Sequence, residues 1–209
     1  MTRKVHLISS DSSARRILRE HGGWEIVQTI EDPETFIWFS GGADISSELY
    51  GEKRHPSSGG YSERDKVEVD YFKRYPKNPK LGICRGAQLC CALSGGKLYQ
   101  DINGHMGSHR VLDHDTGSYH VVSSIHHQMM ILPRDSHVIA TCGLSTYRDT
   151  FDKRHYVDID FPTRSDIEVA FIPSSNSLCF QGHPEFGPKE CTDYFFQLID
   201  RYYPLETTI

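Results

Sequence analysis

No run of apolar residues approaches membrane-spanning length, and no basic run occurs anywhere along the 209 residues. The first lack argues against a helical membrane protein. The second, with a net charge of −5, leaves no electrostatic footprint for nucleic acid or an anionic lipid surface. Arg3 and Lys4 make the N-terminus basic, but the apolar stretch behind them lasts only from Val5 to Ile8, too short for a secretory signal core. The six cysteines include no C-x-x-C pair, and Cys90 and Cys91 are neighbours in a helical pattern, so packed thiols in a reducing cytoplasm are expected. Repeats, low-complexity segments and linkers are also missing, and residues 1–209 read as a single domain. Apolar content of 37% and charged content of 24% suffice for a substantial core.

What is present alternates. Lys4 to Ser9 reads as a strand, Ser10-Asp11-Ser12-Ser13 as the N-cap of a helix over Ala14 to His21, and Gly22-Gly23 as its stop. Trp24 to Ile30 and Thr35 to Phe39 are further strands, the second running into Ser40-Gly41-Gly42-Ala43-Asp44. Residues 51–62 are a polar loop. Glu63 to Tyr75 reads as an amphipathic helix in which Val67, Val69, Tyr71 and Phe72 alternate with Arg64, Asp65, Lys66, Glu68 and Asp70. This rhythm predicts an α/β fold with a doubly wound, mostly parallel sheet. Short alternating segments at Arg110–Leu112, Tyr119–Ser123, Val138–Cys142 and Tyr156–Ile159 predict an antiparallel edge extension. Ile167–Ile172 and Leu178–Phe180 read as buried strands, and Pro188 to Tyr203 as a closing helix with Cys191, Tyr194, Phe195, Leu198 and Ile199 on its apolar face.

The chain is organised around Leu81-Gly82-Ile83-Cys84-Arg85-Gly86-Ala87-Gln88, a buried strand, a sharp turn and a helix. G-x-C-x-G is the nucleophile-elbow pattern with cysteine in place of serine. The nucleophile of such a turn occupies strained backbone, and its neighbours must be small for strand and helix to approach. The helix N-terminus then favours negative charge on Cys84. Far downstream, His183-Pro184-Glu185 straddles a proline that biases the chain toward extended geometry, where residues two apart point the same way. Glu185 can therefore orient His183, completing a nucleophile, a base and an orienting carboxylate. In a parallel sheet the Ser40–Asp44 loop falls beside this elbow and can offer N–H groups to an oxyanion.

On these residues the chain resembles the class I (triad-type) glutamine amidotransferases, in particular the gamma-glutamyl-gamma-aminobutyrate hydrolase (peptidase C26-like) branch. The resemblance rests on Gly82–Gly86, on Gly41-Gly42-Ala43-Asp44-Ile45 with Leu49-Tyr50-Gly51-Glu52, and on Arg64-Asp65. Gly95-Gly96-Lys97-Leu98-Tyr99-Gln100-Asp101-Ile102, Ser124-Ile125-His126-His127-Gln128 and Gly182–Glu185 complete it, in the family's order. It implies a flavodoxin-like fold, Cys84 as nucleophile, His183 as general base and acid, and Glu185 as its orienter. It implies an oxyanion hole from the N–H groups of Gly42 and Arg85, and substrate contacts from Gly41, Gln88, Ser124 and His126. The chemistry implied is attack of Cys84 on a gamma-glutamyl amide, with a glutamyl thioester hydrolysed to glutamate. The branch commonly has Gly-Gly-Pro-Asp where this chain has Gly41-Gly42-Ala43-Asp44, and tryptophan at Gly182; the chain is also shorter than the stand-alone hydrolases.

The implied substrate is a small gamma-glutamyl molecule, glutamine or a gamma-glutamyl amine. Because the chain carries no synthetase domain, a role as ammonia donor implies a partner chain; a homodimer is compatible with either. A non-catalytic binding protein would have no need of all three triad residues. Twelve histidines raise the question of a metal. His105, His109, His114, His120, His126 and His127 are scattered through a polar region without the tight ligand spacing of zinc sites, so neither metal nor cofactor is expected. Cys90, Cys91, Cys142, Cys179 and Cys191 read as packed thiols.

Overall fold

Local signals set the first elements. β1 (Arg3–Leu7) leads into α1 (Ser12–His21), where the Asp11 carboxylate accepts from the Ser13 and Ala14 N–H groups at 3.0 and 2.9 Å and Gly22 ends the helix at φ 76°. β2 (Trp24–Val27) and β3 (Phe36–Phe39) follow, then α2 (Glu63–Arg74), opened by a reciprocal capping box between Ser62 and Asp65. β4 (Lys80–Ile83) turns directly into α3 (Arg85–Leu93). The second half is mostly strand: β5 (Lys97–Tyr99), β6 (Asp101–Ile102), β7 (Met106–Asp113), β8 (Tyr119–Ile125), β9 (Met129–Ile131) and β10 (His137–Cys142). β11 (Tyr147–Asp149), β12 (Arg154–Tyr156), β13 (Asp166–Ile172), β14 (Ser177–Phe180) and α4 (Lys189–Tyr202) end the chain. The structure, a computed structural model, describes residues 2–156 and 166–205. Of the segment expected over Tyr156–Ile159, only its first residue, the last of β12, falls within them.

The central sheet has nine strands in the order β2-β1-β3-β4-β14-β13-β10-β7-β8. β2, β1, β3, β4 and β14 are parallel, the flavodoxin-like order. From β14 to β8 every pairing is antiparallel, which is the extension expected from the alternating segments. Helices cover both faces. Ile17 and Leu18 of α1 and Phe195, Leu198 and Ile199 of α4 join Val5, Trp38, Leu81 and Ile83 in one core. Leu89 and Cys90 of α3 join Ile37, Phe39 and Cys179 in the other, with Val69 and Phe72 of α2 against it. β3, β4 and β14, at the centre, are buried along their whole length, and β3 reads as a continuous apolar run.

The helix α2 departs from its expected face. Val67 is 49% exposed, whereas Asp65 and Glu68 are completely buried. These carboxylates face the side chain of Arg85, a partner that periodicity does not reveal.

Candidate active site

β3, β4 and β14 are adjacent and parallel, so their carboxyl ends deliver three loops into one crevice. Ser40–Gly42 follows β3, Cys84 follows β4, and Gln181–Glu185 follows β14.

Cys84 sits at φ 48° and ψ −108°, a conformation that costs an L-residue about 1–3 kcal/mol. The surroundings enforce it. The Cys84 N–H donates to the Phe180 carbonyl at 2.8 Å, and its own carbonyl accepts from the Gln88 N–H at 3.1 Å. A methyl on Gly82 would stand 2.7 Å from the Gly86 carbonyl oxygen, and one on Gly86 would collide with the backbone carbonyl of Phe39. Both glycines of the elbow pattern are thus required by contact. The Cys84 Sγ lies 3.9 Å from Gln181 Nε2 and 4.0 Å from the Ile125 carbonyl oxygen.

His183 is held from both ends. Its N–H donates to Ser123 Oγ at 3.1 Å, and that hydroxyl donates to the His183 carbonyl at 2.6 Å. Gly182 has no room for a side chain, because a Cβ there would meet the Ser123 carbonyl oxygen at 2.5 Å; this accounts for glycine at the position where tryptophan is common. The His183 Nδ1 donates to Glu185 Oε1 at 2.8 Å, which leaves Nε2 as the ring nitrogen free for Cys84. Burial works against charge on the imidazole, but Cys84 and Glu185 together carry its pKa up to about 10. Gly41 closes against this pair: a Cβ there would stand 2.6 Å from His183 Cε1 and 3.6 Å from Cys84 Cβ.

The raised His183 has a thermodynamic consequence. A histidine whose pKa rises from 6.5 unfolded to about 10 folded contributes stability that is fully present below pH about 6.5 and lost as pH rises through about 10. Urea unfolding of the wild type and His183→Gln should therefore show a stability gap that narrows as the pH is raised from about 8 to about 10.5. A gap that is constant across that range would refute the charged pair.

A buried ionic network joins the two sides of the crevice. Arg85 donates through Nη2 to Asp65 at 2.5 Å and through Nη1 to Glu68. The other Glu68 oxygen accepts from Arg64 Nε at 2.8 Å, and the Arg64 guanidinium donates to the carbonyls of Ser40 at 2.7 Å and Gly41 at 2.9 Å. The Gly41–Gly42 peptide is trans, so fixing the Gly41 carbonyl on Arg64 aims the Gly42 N–H the opposite way. Gly42 adopts φ 143°, and a Cβ on it would run into Arg64. The Arg85 N–H belongs to the first turn of α3, where no intrahelical acceptor exists. Sequence reasoning assigns no such role to Arg64, Asp65, Glu68 or Gln181. The i, i+4 spacing of Arg64 and Glu68 is the one visible sign of the network.

The remaining expected contacts lie differently. Gln88 is buried and donates to the Gln128 carbonyl at 3.1 Å. Ser124 is fully buried and donates to the His105 carbonyl at 3.0 Å. His126 is turned into the interior, with Nδ1 3.0 Å from the Gln128 carbonyl oxygen and Nε2 3.7 Å from Glu168. The backbone of Ile125 between them reaches Cys84; strand alternation turns Ser124 inward, and His126, just past the end of β8, is held in the interior by the Gln128 carbonyl. The crevice rim carries exposed apolar groups instead. Ile125 is 63% exposed, Met106 opposite it in register is 76% exposed, and Phe186, whose ring is 5.7 Å from that of His183, is 66% exposed.

The model of the Peptidase C26 family matches residues 23–149. That span contains Cys84 and the Gly41–Gly42 loop; His183 and Glu185 lie beyond it and are brought in by the fold. A glutamine amidotransferase-like protein, a YvdE homolog of Lactococcus lactis subsp. cremoris, is 41% identical over 70 residues, 32% of this chain and 37% of that protein. The carbamoyl phosphate synthase small chain of Buchnera aphidicola is 26% identical over 192 residues, 88% of this chain and 43% of that one. The chain thus spans well under two thirds of these relatives' length. Among solved structures, a GMP synthase protein of Thermoplasma acidophilum superposes with a TM-score of 0.62 at 16% identity, covering 97% of this chain and 96% of that one. A glutamine amidotransferase of Thermotoga maritima gives 0.57 at 17% identity, covering 98% and 87%. At such identities these two likenesses establish the fold. Among the described residues, no helix is long and apolar enough to cross a membrane.

Proposed function

Because the chain belongs to the Peptidase C26 family, we propose that it is a cysteine-dependent amidohydrolase acting on a gamma-glutamyl amide, glutamine or a gamma-glutamyl amine. The observation that carries this reading is the strained Cys84 elbow beside a His183 oriented by Glu185 at 2.8 Å.

The Cys84 thiolate attacks the gamma-carbonyl carbon, and the carbonyl π electrons move onto oxygen. The N–H groups of Gly42 and Arg85 receive that oxyanion, already aimed by the Arg64–Glu68–Arg85 network. His183 Nε2 delivers its proton to the departing nitrogen as the C–N bond breaks, leaving a glutamyl thioester. The neutral His183 then takes a proton from water, whose oxygen attacks the thioester; glutamate leaves and the Cys84–His183 pair is restored. Glu185 holds the imidazole in orientation throughout. All six cysteines are unpaired, which fits a reducing cytoplasm.

A second reading is an ammonia-donating subunit for a separate synthetase. It is favoured by the likeness to a carbamoyl phosphate synthase small chain across 88% of this chain, and by the exposed Met106, Ile125 and Phe186 at the crevice mouth. Glutamate release by the purified protein alone separates the two. Rapid release from one gamma-glutamyl amine, with glutamine a poor substrate, supports a stand-alone hydrolase. Slow release from glutamine only supports the ammonia donor, and no release from any gamma-glutamyl amide, with or without partner chains, would refute both.

A further inference from the structure

Behind the crevice, the antiparallel half of the sheet brings together four side chains that are far apart in sequence. His105 lies just before β7 and His109 within it, Cys142 ends β10, and Glu168 lies in β13. β7, β10 and β13 are consecutive neighbours in the sheet. One ligand atom from each of the four lies within 4.8 Å of the other three. Glu168 Oε1 is 2.9 Å from His105 Nδ1, 3.1 Å from His109 Nε2 and 3.6 Å from Cys142 Sγ. A tetrahedron built on zinc–ligand lengths of about 2.0–2.3 Å has edges of about 3.3–3.8 Å. The three edges that meet at Glu168 Oε1 need shifts of only a few tenths of an ångström to reach that shape, and the other three, each under 4.8 Å, close by up to about 1 Å.

A second observation points to a ligand. His105 is fully buried and its ring nitrogens face the Glu168 and Asp166 carboxylates at 2.9 and 3.4 Å without a well-directed hydrogen bond, and the buried Glu168 Oε2 and His126 Nε2 make no hydrogen bond. Buried polar atoms of this kind cost about 1–3 kcal/mol each when left unmet. Nε2 of His105 lies 3.4 Å from Asp166 Oδ2, the carboxylate–histidine arrangement that orients a metal-binding imidazole through its other nitrogen. Asp166 is itself anchored by Arg148 at 2.6 Å.

We propose that His105 Nδ1, His109 Nε2, Cys142 Sγ and Glu168 Oε1 form a structural site for zinc. A thiolate and a carboxylate balance the double charge of the ion, and two neutral imidazoles complete a closed shell with no open position for substrate. Before zinc enters, the Asp166 and Glu168 carboxylates outweigh burial and carry the His105 pKa up to about 9, while burial and the same carboxylates keep the Cys142 thiol protonated. Binding therefore displaces the His105 proton and the thiol proton to solvent, with no change of oxidation state. The site would fasten β7, β10 and β13 behind the catalytic loops. Glu168 connects directly to them, since its carbonyl accepts from the Gln181 N–H at 2.7 Å, two residues before His183.

The test is metal content of the purified protein after incubation with zinc sulfate and desalting, measured by inductively coupled plasma mass spectrometry. About one zinc per chain is expected in the wild type, falling to background in Cys142→Ser and His109→Gln. Cobalt(II) loading of the unmodified protein should give a sulfur-to-cobalt charge-transfer absorption that is absent in Cys142→Ser. Free zinc at a hundredfold excess over its Kd should raise the thermal midpoint by roughly 5–10 °C. A wild type that takes up no zinc, zinc retained undiminished by Cys142→Ser, or cobalt absorption without the sulfur band would each overturn the proposal. These readouts require no turnover, so they stand apart from the fate of the hydrolase reading.

Discussion

Replacing Cys84 with alanine should lower glutamate release by about 10⁴–10⁶-fold, the scale on which loss of the nucleophile collapses a catalytic triad. The elbow itself should survive, because alanine fits wherever cysteine did. Glycine at the same position separates chemistry from strain. Cys84 holds φ 48° only because the Phe180 carbonyl, Gly82 and Gly86 leave it no alternative. Removing the Cβ relieves that constraint, so Cys84→Gly should be equally inactive but about 1–2 kcal/mol more stable than Cys84→Ala. Urea denaturation of the two variants measures the difference. Residual turnover in the alanine variant would remove Cys84 from the mechanism, and equal stabilities would show that the elbow stores no strain.

Glu68→Ala should be the most damaging change away from the reacting atoms. Glu68 is fully buried and bridges Arg85 and Arg64, and its loss leaves the buried Arg85 guanidinium with Asp65 alone. Breaking one member of a buried ionic network costs about 3–5 kcal/mol, because the partner charge remains where water cannot reach it. Arg64 is freed at the same moment, and with it the Ser40 and Gly41 carbonyls that orient the Gly42 N–H. The folded fraction should therefore show reduced kcat along with reduced stability. Glu68→Gln, which keeps the shape and part of the hydrogen bonding, should recover more of the kcat than of the stability. A Glu68→Ala protein as stable as the wild type would mean that the network contributes nothing to the fold.

The parallel half of the sheet, the elbow and the apolar face of α4 were legible in the sequence, because each is written as a local pattern: alternation, paired glycines, helical periodicity. The buried face of α2 was not. Hydrophobic patterning assigns Asp65 and Glu68 to solvent, and only the position of Arg85, packed against that helix, explains why both are inside. The clustering of the histidines was hidden for a related reason. His105 and His109 are four positions apart, but Cys142 and Glu168 join them through the order and register of antiparallel strands, which spacing along the chain does not encode. Ser124 and His126 followed from motif position, whereas the way their side chains turn is decided by strand alternation at Ser124 and by the Gln128 carbonyl at His126.

The pairing of β4 with β14 has a consequence for how the candidate site comes into being. Lys80 pairs with Ser177 and Ile83 with Phe180, so the strand carrying the thiol and the strand carrying the base meet across 97 positions of chain. Everything between them, including the whole antiparallel extension, is a loop that must close before thiol and imidazole become neighbours. Any fragment ending before β14 can hold Cys84 on its turn and still have no base, no carboxylate and no Phe180 carbonyl to fix the turn's geometry. The Cys84 thiol is in this way kept apart from the histidine and carboxylate proposed to act with it until nearly all of the chain has found its place.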